Sequence, residues 1–199
     1  MGKNVYLCGM KILFIHGLAS SGAYKTADTL YILFRPCEVM APDVPLDPAE
    51  ALPLLEGLCR TEQPDLIVGL SLGAFWAQKL RGYKKICINP DLHVSRLLGT
   101  MLGEQPYLSP RRDGATTFVV TEAICEAFAA LERTQFDGLT DDERARTVGL
   151  FADHDEIVHC HDEFLAHYPS STYWYPGKHL PTFPEIKKYL LPLALELCE

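Results

Sequence analysis

Gly69-Leu70-Ser71-Leu72-Gly73 sets a hydroxyl nucleophile between glycines two positions to either side. The apolar run Asp65-Leu66-Ile67-Val68 precedes it and the amphipathic run Ala74 to Leu80 follows, so a strand must turn into a helix within about one residue. Such a turn forces a strained backbone at Ser71, and the glycines remove the β-carbons that would collide there. The hydroxyl is left exposed at the carboxyl edge of a sheet. From there it can attack an acyl carbonyl, provided that a base takes its proton and an acid orients the base.

Both partners have candidates at downstream strand ends. Asp155 lies in Asp153-His154-Asp155-Glu156, after the apolar strand Thr147 to Ala152. His179 lies in Gly177-Lys178-His179-Leu180, after Thr172 to Tyr175. In a parallel sheet these loops share the carboxyl edge with the Ser71 turn, where such folds bind ligands. For the acid, Asp153 competes with Asp155. Asp155 is favoured because it begins a run in which Ile157 and Val158 can anchor the loop, whereas Asp153 suits a turn cap.

The developing oxyanion needs only backbone donors. The expected pair is the N–H of Leu72, at a helix N-terminus, and the N–H of Leu18, after His16-Gly17. The His16 side chain is then structural, shaping its turn. Tyr24, His93 and Tyr107 are the candidates for the substrate pocket rim. Trp76, Phe128 and Phe136 fall at helical packing positions and read as core. The segment 153–162 crowds His, Cys and Asp, but His159 and His161 around Cys160 match no structural zinc spacing, so no metal is expected.

The elements that must position these groups alternate. Lys11 to His16 reads as a strand, Tyr24 to Phe34 as a helix, and Val39 to Ala41 as a short strand. Asp47-Pro48-Ala49-Glu50 supplies a capping acid and a proline for a helix reaching about Cys59. The Ser71 strand and helix come next, then the strand Lys85 to Asn89, closed by Pro90. This rhythm predicts an α/β fold, a mostly parallel sheet with helices on both faces. It breaks over about 91–146, where helical patterns (Leu92 to Met101, Glu122 to Arg133) flank the polar stretch Gly103 to Ala115; a small helical lid inserted into one domain spanning 1–199 is expected. Thr140-Asp141-Asp142-Glu143 and Thr182-Phe183-Pro184-Glu185 read as capping boxes, the second opening a helix that covers one sheet face.

With 199 residues, 48% of them hydrophobic, the chain can bury one substantial core. A net charge of −8 without a basic run gives no footprint for nucleic acid. Seven cysteines without C-x-x-C spacing fit free thiols and a cytoplasmic location. The stretch Val5 to Ile15 is apolar but interrupted by Lys11, so it reads as a strand rather than a signal peptide. No run of about 18 apolar residues marks a membrane span. Either Met1 or Met10 serves as the natural start.

The chain resembles the α/β-hydrolase superfamily and, within it, the small bacterial YqiA-like esterases. The likeness runs from Met10 through His16-Gly17, Ser20-Ser21, Pro42 to Pro45, Gly69 to Ala74, Ile88-Asn89-Pro90, Asp155 to Val158 and Gly177-Lys178-His179. It departs at Ala74, where that branch has a second glycine, and between Pro90 and Thr147. The resemblance implies an α/β-hydrolase fold and a carboxylic ester hydrolase with a Ser-His-Asp triad, carried by Ser71, His179 and Asp155 and needing no metal or organic cofactor. The expected partner is a small-molecule acyl ester or thioester. An acyltransferase on the same triad and a catalytically silent binding fold are the rival expectations.

Overall fold

Each buried-type apolar run becomes a strand of a single parallel sheet, for which both faces must be covered. In this computed structural model, which describes residues 9–169 and 172–198, the sheet order is β2-β1-β3-β4-β7-β8. The strands are β1 (Lys11–Ile15), β2 (Glu38–Met40), β3 (Leu66–Leu70), β4 (Lys84–Ile88), β7 (Thr147–Ala152) and β8 (Thr172–Tyr175). All five pairings are parallel, so every strand ends on the same edge. Residues 1–8, which include Cys8, Met1 and the start of the Val5 to Ile15 run, lie outside the described residues.

Alternate side chains divide the core in two. Leu13, Ile15, Ile67 and Cys87 face α2 (Pro48–Glu62), α3 (Leu72–Lys79), α4 (Val94–Gly99), α5 (Glu122–Arg133) and α7 (His161–His167). Ile12, Phe14, Val68, Ile86 and Leu150 face α1 (Lys25–Leu33) and the C-terminal helix. This two-sided burial is what the alternation of strands and helices predicts.

Several local expectations hold. Asp47 caps α2, its side chain accepting from Ala49 N at 2.8 Å, although the helix continues to Glu62 rather than ending near Cys59. Glu185 accepts from both Thr182 N and Thr182 Oγ1, opening the C-terminal helix as a capping box. That helix consists of α8 (Phe183–Glu185), a π-helical turn over Ile186–Leu190, and α9 (Leu191–Cys198).

Three expectations are corrected. The run after Ser71 is not amphipathic in place: Leu72 through Gln78 are all buried, because α5 covers the outer side of α3 and Phe128 packs its ring 5.3 Å from Trp76. The segment 91–146 is not purely helical. Instead of a polar connector at Gly103 to Ala115, β5 (Gly103–Pro106) and β6 (Thr117–Val120) form an antiparallel ribbon, between α4 and α5. Thr140 caps α6 (Asp141–Ala145), but the reciprocal half of its box is missing, because the Glu143 carboxylate accepts from Lys85 Nζ at 2.6 Å and from Gly82 N at 2.5 Å. Lys85 is fully buried, so the pair ties α6 to the start of β4. Burial opposes its charge, yet Lys85 and the Gly82 amide keep the Glu143 carboxyl below its ordinary range.

Candidate active site

At the end of β3 the backbone of Ser71 takes φ 57° and ψ −117°, a strained conformation for a residue with a side chain. Its N–H donates to Ile88 O at 2.9 Å, and its carbonyl accepts from Ala74 N and Phe75 N to start α3. The flanking glycines are required by close approach rather than by positive φ. A β-carbon on Gly69 would lie 2.4 Å from Gly73 O, and one on Gly73 would lie 1.9 Å from Ile15 O. The turn is thereby pressed against the end of β1.

The loop after β1 passes directly beside the serine. A β-carbon on Gly17 would sit 3.4 Å from Ser71 Cβ. Among the described residues the N–H groups of Leu18 and Leu72 have no hydrogen-bond partner, which leaves two donors on either side of this contact. His16 fixes the turn as expected. Its Nδ1 donates to Gly17 O at 2.8 Å, and its Nε2 accepts the Val44 N–H at 3.0 Å. Burial, with a smaller push from Arg111, lowers its pKa to about 4 against the opposing pull of the Gly17 carbonyl and Asp43, so the ring is neutral.

Asp155 and His179 meet at the other end of the edge. His179 Nδ1 donates to Asp155 Oδ2 at 2.8 Å, and both side chains are 8% exposed. The second carboxylate oxygen accepts from Ile157 N at 2.8 Å and Val158 N at 3.0 Å, so these residues anchor the loop through their amides. Burial works against the ionised Asp155, but the His179 bond and the two amides outweigh it and hold its carboxyl below the usual range. Rather than capping its own turn, Asp153 accepts from Gly177 N at 2.9 Å, on the loop that carries His179, and touches the exposed His154.

The residue that joins the two ends, Asn89, was not a sequence candidate. Its Nδ2 donates to His179 O at 2.7 Å and to Tyr175 Oη at 2.9 Å, while its Oδ1 accepts from Ala152 N at 2.8 Å. Tyr175 Oη in turn donates to Lys178 O. Because Ile88 O already holds Ser71 N, the end of β4 grips the serine turn with one residue and the histidine loop with the next. The available signal was an asparagine before proline, a residue type that tolerates its φ of 43°. No hydrogen bond joins Ser71 Oγ to His179 among the described residues.

The three pocket-rim candidates part company. Tyr107 lines a small apolar cavity beside Gly17, Leu18 and Leu72, and the core residue Trp76 forms part of the same wall. His93 lines a separate cleft next to Asp91 and is paired to Glu163 at 2.6 Å. Tyr24 is the N-cap of α1 and lines neither, because α1 packs on the opposite sheet face. Among the described residues no cluster of three His, Cys, Asp or Glu groups could hold a metal ion, and no helix is long and apolar enough to cross a membrane. Cys59, Cys87, Cys125, Cys160 and Cys198 are free thiols.

Comparison with solved structures finds the same architecture over almost the whole chain. An esterase domain from a Rhodothermus marinus protein superposes with a TM-score of 0.63 at 17% identity, covering 96% of this chain and 88% of that one. A structure described as LipS and LipT, two metagenome-derived lipolytic enzymes, gives 0.65 at 14% identity, covering 95% and 93%. A thioesterase domain from the curacin biosynthetic pathway gives 0.55 at 14% identity, covering 96% and 91%. At these identities the likeness establishes the α/β-hydrolase fold. No curated protein matches by sequence. One family model, described as the uncharacterised protein family UPF0227, matches residues 11–190. The chain therefore belongs to UPF0227, an uncharacterised family of YqiA-like proteins, here with an α/β-hydrolase fold.

Proposed function

We propose that the protein is a serine hydrolase acting on small carboxylic esters or thioesters, with Ser71 as nucleophile, His179 as base and Asp155 as the acid that orients it. The observation that carries this reading is the buried hydrogen bond between His179 Nδ1 and Asp155 Oδ2, on the same sheet edge as the strained Ser71 turn. It leaves His179 Nε2 as the nitrogen able to take a proton. Similarity in fold to esterases and to a thioesterase domain adds the substrate class.

In the mechanism, Ser71 Oγ attacks the acyl carbon as His179 Nε2 removes the hydroxyl proton. The tetrahedral oxyanion receives the N–H groups of Leu18 and Leu72. Collapse expels the alcohol or thiol, which takes the proton from His179, and leaves an acyl-Ser71. Water then attacks with His179 again as base, releasing the acid and restoring the serine. Asp155 stays ionised and holds the imidazole in the tautomer that this sequence of transfers needs.

The test is intact-mass detection of an adduct from a small methyl fluorophosphonate, on the wild type beside Ser71→Ala and His179→Ala. A single adduct on the wild type that is lost in both variants supports the assignment. A folded wild-type protein that remains unlabelled, or a Ser71→Ala variant that still labels, refutes it.

A further inference from the structure

Asp91, in the segment that follows β4, is a buried carboxylate short of partners. Its N–H donates to Ser71 O at 3.4 Å, so the residue sits against the serine turn, two positions beyond the Asn89 that holds the His179 carbonyl. It is only 6% exposed. Its Oδ1 accepts from His93 N at 2.9 Å, the bond an aspartate makes with the amide two residues on. Among the described residues its Oδ2 accepts no hydrogen bond, and neither oxygen joins an ion pair. A carboxylate so placed is costly to ionise, and burial raises it above the usual range against the pull of the His93 amide.

The groups that face Asp91 divide by sign. Glu132, from α5, repels it, and that carboxylate is itself held by Ser95 N at 2.7 Å and Ser95 Oγ at 2.6 Å. The Cys160 thiol, before α7, is pushed up to about 11 by burial, with smaller pushes from Asp91 and Glu163, and stays neutral. The exposed Arg96 and His159 border the same cleft as Asp91, and among the described residues neither pairs with it. Attraction comes from two imidazoles, His93 and His179. His93 is engaged by Glu163 Oε2 at 2.6 Å, so its charge, when it carries one, is already answered. His179 differs in when its charge appears: in the proposed mechanism its ring is neutral at rest and positive only while it holds the Ser71 proton. Asp91 therefore lacks a cation in the resting enzyme and gains one in the transition state. An interaction that strengthens in that way lowers a barrier rather than tightening the ground state.

Building on the serine hydrolase reading, we propose that Asp91 is a second carboxylate serving His179, one that stabilises by its charge the imidazolium formed in each proton transfer. Asp155 bonds the ring and fixes its tautomer. Asp91 makes no bond to the ring among the described residues and acts through His179 by its field alone, from the side of β4.

The experiment compares wild type with Asp91→Asn and Asp91→Ser, both of which keep an acceptor for His93 N and remove the charge. The readout is the rate of Ser71 labelling by the methyl fluorophosphonate, followed by intact mass against probe concentration between about pH 5 and pH 9, beside urea unfolding at neutral pH. Expected in both variants is a maximal labelling rate about tenfold lower at neutral pH, with the half-saturating probe concentration little changed. The acid limb of the profile should move about one pH unit lower, because a ring without the carboxylate gives up its proton more readily. Stability at neutral pH should be equal or higher in the variants, since the charge they lose is buried and unanswered in the resting protein. Asp91→Ser keeps the test open if Asp91→Asn does not fold. Wild-type labelling in a folded variant overturns the proposal. So does slower labelling with an unmoved acid limb and lost stability, which would make Asp91 a turn residue only. A folded wild type that takes no label removes the hydrolase reading beneath the proposal, and is told apart because it leaves no rate to compare.

Discussion

His16 offers a perturbation that needs no ligand. Its Nε2 must stay unprotonated to accept the Val44 N–H, and its folded pKa of about 4 lies well below the ordinary value of 6.5. Above pH 6.5 the ring is neutral in both the folded and unfolded chain, and its contribution to stability is complete. Between 6.5 and 4 the unfolded chain binds a proton that the folded chain does not, so stability falls as pH falls. Below 4 both forms are protonated and the loss levels off. The gap corresponds to about 3 kcal/mol at 25 °C. His16→Gln keeps an acceptor within reach of Val44 N but cannot titrate. Urea unfolding of both proteins at pH 7 and pH 4 isolates this one group, since carboxylates and the other histidines contribute equally to each. The wild type should lose about 3 kcal/mol more than His16→Gln over that interval. Parallel pH dependences would refute the assignment of a buried neutral His16, and with it the account of what fixes the turn bearing Leu18.

Other outcomes follow from the same bonds. Asp155→Asn should lower kcat by about 10³-fold or more with KM little changed, while Asp153→Asn should cost less than about tenfold; steady-state kinetics with the reverse ranking would move the acid to Asp153. Asn89→Ala leaves the Ala152 N–H and the His179 carbonyl without their partner, and should reduce unfolding free energy by about 2–4 kcal/mol and lower kcat more than it raises KM. Asn89→Asp retains the acceptor for Ala152 but sets a carboxylate oxygen against the His179 carbonyl, so it should not rescue kcat. Wild-type stability and turnover in both Asn89 variants would remove Asn89 as a positioning residue.

How much of this was legible depended on whether the signal was local. The Ser71 turn could be read because steric necessity wrote glycine at 69 and 73 within five residues of sequence, and the structure supplies the collisions that those glycines avoid. The hold of Ile157 and Val158 on the Asp155 loop could be read because both are near neighbours of Asp155 in the chain. The ribbon could not be read. β5 is Gly-Glu-Gln-Pro, with neither alternation nor a strand-forming residue, and it is joined to β6 by a loop too long to leave a hairpin signature. Lys85 paired with Glu143, and Asn89 with the His179 loop, were equally hidden: the partners lie 58 and 90 positions apart, and nothing in either neighbourhood announces the other. The helix after Ser71 misled for a related reason, since what buries its outer face is α5, which lies far along the chain.

The sheet order also governs when the site comes into being during synthesis. β1 to β4, which carry the Ser71 turn and the Leu18 and Leu72 amides, occupy the first half of the chain and are neighbours in the sheet. β7 and β8 are then laid in succession onto the β4 edge, and the loop bearing His179 leaves the ribosome behind the last of them. On the proposed assignment, a half-made chain holds a serine with no base to activate it. Reactivity is therefore the last property the protein acquires, and only on docking of the final strand, so any truncated product released before β8 carries an intact elbow that is chemically mute.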